Sequence, residues 1–286
     1  MRLFRFGEPG KEKPGMVLKD GTWIDTSIFG EDYGEEFFGS RGLRRLRRWA
    51  ATFASSQPKV DPKAIRIGPP IVRPSKIVCI GLNYRDHAKE AKMDIPPEPV
   101  LFAKASSSIA GPFDDLTLPR GAAKVDWEIE LGVVMGARVS AVPASRALDY
   151  VAGYVVVNDY SERSFQLERQ GQWIKGKSAD GFAPIGPFLV TPEEAGNVHD
   201  LRMFLTVNGK LMQDSSTGNM IYGVHQLISY VSQFMTLLPG DVISTGTPAG
   251  VGLGRRPPKF LKPGNVVESG IQGLGRQRQN VVAFHK

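Results

Sequence analysis

Residues 124–136 read KVDWEIELGVVMG, a stretch that sets Asp126, Glu128 and Glu130 between Val125, Trp127, Ile129 and Leu131. Side chains of a strand alternate between its two faces, so this spelling places three carboxylates on one side and four bulky apolar groups on the other. One face wants a core. The other is open to two readings: water, as on a half-exposed antiparallel strand, or a divalent cation. What the rest of the chain supplies decides between them.

Outward from this strand, the chain beyond residue 70 is a series of short apolar runs: KIVCIG, VLFAKA, YVAGYVVVNDY, PIGPFLVT, LRMFLTVNGK and DVISTGT. They are rich in Val and Ile and punctuated by Gly and Pro, which predicts strands. Helices are expected around YRDHAKEAKM, YSERSFQLERQ and HQLISYVSQFM, the last with an apolar stripe. The first 70 residues differ. Short strands and turns (MRLFRF, GMVLKDGTWIDTS) precede a basic helix, GLRRLRRWA, and the Pro-rich segment SSQPKVDPKAIRIGPPIVRPSK. The expectation is an α+β chain, mostly β, with a small N-terminal α+β domain over 1–70 and a larger domain over 71–286. No repeat or low-complexity tract interrupts it, and no helical alternation is regular enough for a doubly wound sheet.

Composition narrows the function classes. With 286 residues, 41% hydrophobic and 23% charged, the chain has the make-up of a folded globular protein rather than a disordered one. No apolar run reaches the roughly 18 residues that span a bilayer, and MRLFRFGEPGKEKPG is charged where a secretory signal is apolar, so a cytoplasmic protein with no membrane partner is expected. The one cysteine, Cys79, lies in the apolar run KIVCIGL and reads as a packed side chain. A net charge of +7 and the cluster Arg44, Arg45, Arg47 and Arg48 invite a nucleic-acid reading. The excess is spread over both parts, however: thirteen basic against nine acidic residues up to position 70, and twenty-three against twenty beyond it. Leu43, Leu46 and Trp49 recur at helical spacing, which makes the arginines the wet side of an amphipathic helix, so no nucleic-acid partner is expected. The mild positive field suits small anionic substrates.

Two constellations carry candidate chemistry. In YVVVNDYSERSFQ an apolar strand runs into Asp159 and a helix begins; Arg163 and Gln166, four and seven residues on, would share its face. Asp159 could equally be an N-cap. Lys177, between glycines in IKGKSADG, reads as a loop lysine. In GLNYRDHAKE, His87 and Glu90 stand at i and i+3 on a short helix, where a carboxylate can bond one imidazole nitrogen and orient the other, giving a general base near neutral pH. His199, His225 and His285 have no such partner in sequence and read as structural.

Taken in order, GLNYRDHAKEA, VDWEIELGVVMG, GYVVVNDYSERSFQ with GKSADGFAPIGP, and STGTPAGVG resemble the fumarylacetoacetate hydrolase (FAH) family, from about residue 73 to the C-terminus. The resemblance implies an FAH-like mixed β-roll or sandwich core and a Mg²⁺ ion, with Mn²⁺ as substitute, held by Glu128, Glu130 and Asp159. Two glutamates one residue apart point the same way, and hard cations take oxygen ligands. The motif gives Asp126 no role. It further implies that Lys177 reaches the substrate, that Arg163, Gln166 and Thr247 line its pocket, that the His87–Glu90 pair activates water, that residues 84 to 98 form a mobile lid, and that the chain is a homodimer.

DYSER followed by QWIKGKSADGFAPIGP is most similar to the branch acting on 2,4-diketo-3-deoxy sugar acids, such as those derived from L-rhamnonate or L-fuconate. The implied reaction is hydrolysis of the C3–C4 bond of a 2,4-diketo acid, releasing pyruvate through its enolate. Oxaloacetate decarboxylase and ureidoglycolate lyase activities are the alternatives that the family leaves open, because fold and metal site do not choose among them.

Overall fold

The acidic and apolar alternation of residues 124–136 folds as two strands rather than one, Val125–Asp126 and Ile129–Met135, with Trp127 and Glu128 outside both. In this computed structural model, which describes residues 1–284, every residue from Val125 to Met135 is buried. Neither face meets water, so the half-exposed reading of the strand is set aside. At the break, side chains take over the ladder. Glu128 N–H donates to Asn158 Oδ1 and Ile129 N–H to Gln213 Oε1, both at 3.0 Å, while Asp159 N–H donates to the Glu128 carbonyl at 2.8 Å. Buried backbone donors need such partners, and these fix the turn that aims Glu128.

Ile129–Met135 lies near the middle of a ten-stranded sheet. From one edge the order is Trp23–Asp25, Lys13–Val17, Arg2–Phe6, Leu189–Val190, Val151–Asn158, Ile129–Met135, Val242–Ser244, Ile77–Gly81 and Val100–Lys104, with Ile67–Gly68 also paired to Arg2–Phe6. Within it only Val242–Ser244 and Ile77–Gly81 run parallel. Alternate residues feed two cores. Leu131, Val133 and Val156 join a cluster with Met203, Leu205 and Val267 of a five-stranded sheet and with Leu227 and Val231 of the helix Val224–Phe234. Val134, Val155 and Val157 face the other way, toward Leu3, Phe37 and Leu46 from the first 70 residues. A sheet covered on both faces explains why YVVVN reads as unbroken apolar sequence. Gly132 is required by this packing: a Cβ there would stand 2.5 Å from Val155 and 2.6 Å from Val157.

The α+β, mostly β expectation holds. Helices form at Gly42–Phe53, Arg85–Ala91 and Val224–Phe234 as the sequence predicts. The helix expected around residues 160–170 is shorter and starts later, at Arg163–Leu167. Ser161–Glu162 first pairs with Val125–Asp126, and Glu162, not Asp159, is the N-cap, its carboxylate accepting from Ser164 N–H at 3.0 Å. On the basic helix, Arg45 pairs with Glu31 at 2.5 Å and Arg47 with Glu193 at 2.9 Å. Cys79 is fully buried, and burial pushes its thiol well up, leaving it unreactive. Among the described residues no helix is long and apolar enough to cross a membrane. His285 lies outside the described residues.

Candidate active site

Three carboxylates converge where the central strands end. Glu128 and Glu130 come from the interrupted strand and Asp159 from the residue after Val151–Asn158, and each offers an oxygen within 4.8 Å of the others. All three are buried: Glu128 is 6% exposed, Glu130 1% and Asp159 fully covered. So much buried negative charge requires positive charge nearby. Lys177 Nζ bonds Glu128 Oε2 at 2.6 Å and Asp159 Oδ2 at 2.8 Å, and Arg163 Nη2 meets Glu128 Oε1 at 2.6 Å. Lys104 Nζ bonds Asp159 Oδ1 at 2.6 Å and the Tyr160 carbonyl at 3.1 Å.

Electrostatics splits the trio. Burial alone would raise Glu128, but Lys177 and Arg163 outweigh it and hold the carboxyl down at about 2. Among the described residues Glu130 has no cation within ion-pair distance. Burial first, then the charges of Asp159 and Glu128, push it up to about 8, although Ser244 Oγ (2.6 Å) and Gly246 N–H (2.9 Å) both donate to its Oε2. Lys177 and Arg163 are raised by these same acids against the opposing pull of burial, so both stay charged. The donor set fits a hard divalent cation: three converging carboxylate oxygens, no sulfur or imidazole among them, and one acid whose ionised form still lacks a counter-charge.

Glu128 and Glu130 lie at the floor of a cavity of about 690 Å³ that is also lined by His87, Glu90, Arg163, Gln166, Lys177 and Thr247. Every site residue read from the sequence, except the deeper Asp159, therefore lines one space. His87 Nδ1 lies 3.3 Å from Glu90 Oε2. Burial would raise Glu90, but the His87 contact and the Gly250 N–H, 3.0 Å from both its oxygens, keep it below the ordinary carboxylate range. An anionic Glu90 keeps the imidazole proton on Nδ1 and leaves Nε2 as acceptor. Arg163 Nη1 bonds Gln166 Oε1 at 3.0 Å. The Thr247 hydroxyl is already committed: it donates to the Ile129 carbonyl and accepts from Gln213 Nε2, both at 2.9 Å.

Sequence reasoning missed two contributors, Lys104 and Asp126, and misplaced a third, Lys177. Lys104 ends the strand Val100–Lys104 and is its one buried residue, and a lysine at the end of an apolar run was the available signal. Lys177 is no loop lysine, since it ends the short helix Ile174–Lys177 and is 2% exposed. Asp126 is no idle strand end. Its Oδ2 takes Arg163 Nη2 at 2.8 Å and Leu253 N–H at 3.0 Å, and its Oδ1 takes Gly252 N–H at 2.6 Å and Trp127 N–H at 2.8 Å.

Comparison with known proteins places this geometry. The family pattern described as fumarylacetoacetate (FAA) hydrolase C-terminal matches residues 76–282. The chain belongs to the FAH family. A relative from Burkholderia multivorans, which carries only the name "Putative hydrolase", is 51% identical over 280 residues, 98% of each chain. Among solved structures, the fumarylacetoacetate hydrolase of Exiguobacterium antarcticum is 34% identical with a TM-score of 0.85, over 99% of this chain and 100% of that one. A 2-hydroxyhepta-2,4-diene-1,7-dioate isomerase from Mycobacterium marinum is 31% identical with a TM-score of 0.76, over 100% of both chains. The maleylpyruvate hydrolase of Sphingobium sp. SYK-6, solved with manganese(II) and pyruvate, is 26% identical with a TM-score of 0.83, again over 100% of both. The FAH family contains hydrolases and isomerases on this one scaffold, and the buried acidic triad of this member could hold a metal ion.

Proposed function

We propose that this FAH-family chain is a Mg²⁺-dependent hydrolase, with Mn²⁺ able to substitute, that cleaves the C3–C4 bond of a 2,4-diketo acid to pyruvate and a second carboxylic acid. The carrying observation is that the His87–Glu90 pair faces one cavity with Glu128 and Glu130, and that Asp159 lies directly behind these two, within 4.8 Å of their oxygens. A dication held by Glu128, Glu130 and Asp159 would supply Lewis-acid stabilisation of an enolate.

The protein's own groups do the rest. His87 Nε2 takes a proton from water while Glu90 holds the ring through Nδ1, and the hydroxide so formed adds at C4. Collapse of the C4 adduct breaks C3–C4, the bonding pair leaves with C3 as the pyruvate enolate, and the proton taken up by His87 is available to C3. Lys177 keeps a fixed positive charge beside the developing enolate. Arg163 holds Glu128 in place from the opposite side to Lys177. The DYSER pattern supports a 2,4-diketo-3-deoxy sugar acid as one substrate. The same reading takes a small anionic keto acid and a second copy of this chain as the partners, and the cytoplasm as location.

Replacing His87 by Ala is expected to abolish pyruvate release from an acylpyruvate with Mg²⁺ binding retained, the first read by coupled lactate dehydrogenase assay and the second by calorimetry. Full pyruvate release by H87A would remove the dyad from the mechanism. A second reading draws on the likeness to an isomerase: triad and Lys177 alone stabilise an enolate, so an oxaloacetate decarboxylase or a lyase would keep its activity in H87A because neither needs an attacking water.

A further inference from the structure

The substrate's far end can be read from the cavity's outer half. Glu128 and Glu130 at its floor are almost fully covered, whereas Met93 and Leu253 at its mouth are 60% and 40% exposed, so the space runs from an acidic floor to an exposed rim where apolar side chains and prolines stand beside Arg255 and the exposed Arg256. Between them the wall is Phe102, Leu167 and Trp173, with the Phe102 and Trp173 rings 5.2 Å apart and edge to face. In the inner half His87 and Glu90 pair with each other, Arg163 and Lys177 hold the acids, Gln166 accepts from Arg163 through its Oε1, and Thr247 is taken by Gln213 and the Ile129 carbonyl. One further group stands out. Arg255 lines the same cavity, half-buried, and only its Nη2 has a partner, the Met212 carbonyl at 2.7 Å. Its Nε is buried with no hydrogen-bond partner. No carboxylate lies within ion-pair distance of it among the described residues.

The loop that carries Arg255 is not loose. Asp126 accepts from Gly252 and Leu253 N–H, and Glu90 from Gly250 N–H. The guanidinium is therefore held in fixed relation to both the triad strand and the dyad helix.

We infer that Arg255 is a specificity-determining residue that binds a carboxylate at the distal end of the acyl arm, so that the preferred substrate is an acylpyruvate with an apolar arm ending in a second carboxylate. A half-buried guanidinium with one of its three nitrogens bonded and no anion beside it is satisfied by a carboxylate, which can take two of its donors together. A polyhydroxylated arm would set its hydroxyls against Phe102, Leu167 and Trp173, where burying them without hydrogen bonds is costly. This inference rests on the acylpyruvate reading above and chooses within it, against the sugar acid.

The test compares kcat/KM for acetylpyruvate, fumarylpyruvate and 2,4-diketo-3-deoxy-L-rhamnonate, in wild type, Arg255→Met and Arg255→Lys, with thermal melts to confirm folding. The expected result is a wild-type preference for fumarylpyruvate over the other two. The fumarylpyruvate to acetylpyruvate ratio should fall by about tenfold or more in R255M, the loss due for one charge-assisted contact, with partial recovery in R255K. A ratio unchanged in folded R255M, or a wild-type preference for the sugar acid, overturns the role of Arg255 and leaves C–C hydrolysis standing. No turnover of any of the three by wild type with Mg²⁺ instead overturns the hydrolase reading itself.

Discussion

Single side chains decide how the buried charge is balanced. Lys104 is the clearest case, because it is fully covered, touches only Asp159 and the Tyr160 carbonyl within hydrogen-bond distance, and never reaches the cavity lining. Its role is to neutralise and hold one carboxylate of the candidate metal site from behind. Leaving a buried charge wholly unpaired costs more, but Asp159 keeps Lys177, so Lys104→Met should lower stability by about 1.5–3 kcal/mol, the loss due for one hydrogen bond to a charged group. Urea denaturation of the metal-stripped protein measures this, and a loss under about 1 kcal/mol would mean the pair is far more solvated than its burial indicates. Lys177 differs in kind. It shares two of the triad's acids and also lies 4.9 Å from the Phe102 ring in the cavity wall. Lys177→Met is expected to remove turnover altogether while H87A removes only reactions that need water.

Elements bring these residues together, and here the limits of sequence reading are physical. Strand alternation placed Glu128 and Glu130 on one face, and the end of an apolar run marked Asp159, because both signals are local. The interruption at Trp127–Glu128 was not legible: it is made by Asn158 and Gln213, which lie 30 and 84 residues away in sequence. The helix after Asp159 began late because Ser161–Glu162 is captured by Val125–Asp126, a pairing that no window around residue 160 contains. Asp126 looked spare for the same reason, since its backbone partners Gly252 and Leu253 are 126 and 127 residues on. That contact gives a prediction at the level of the loop. Asp126→Ala should release the 250–256 segment, so exchange of the Gly252 and Leu253 amides speeds up and kcat/KM falls by roughly tenfold or more through misplacement of the pocket wall. Unchanged protection of those two amides would show that the loop is held by something else.

At the level of the molecule, a sheet buried on both faces serves as the rigid floor on which four acids and three cations are set. Folding must accommodate Glu130, whose proton is held up to about pH 8 by burial and by Asp159 and Glu128, against 4.5 for an ordinary glutamate. Between those values the folded metal-free protein carries a proton that the unfolded chain does not. Stability from this group is therefore complete below pH 4.5 and lost as pH rises through 8. Glu128 acts in the opposite sense: its contribution is present above 4.5 and lost as pH falls toward 2. For metal-stripped protein the melting temperature should accordingly fall from pH 6 to pH 8.5, and Glu130→Gln should flatten that slope. Divalent binding needs the deprotonated carboxylate, so Mg²⁺ affinity should climb over the same window and level off above pH 8, with proton release measurable by calorimetry in two buffers of different ionisation enthalpy. A stripped protein whose melting temperature holds steady or rises across that range would mean that Glu130 is already ionised near neutral pH. The triad would then lack the unbalanced charge that makes it a cation site.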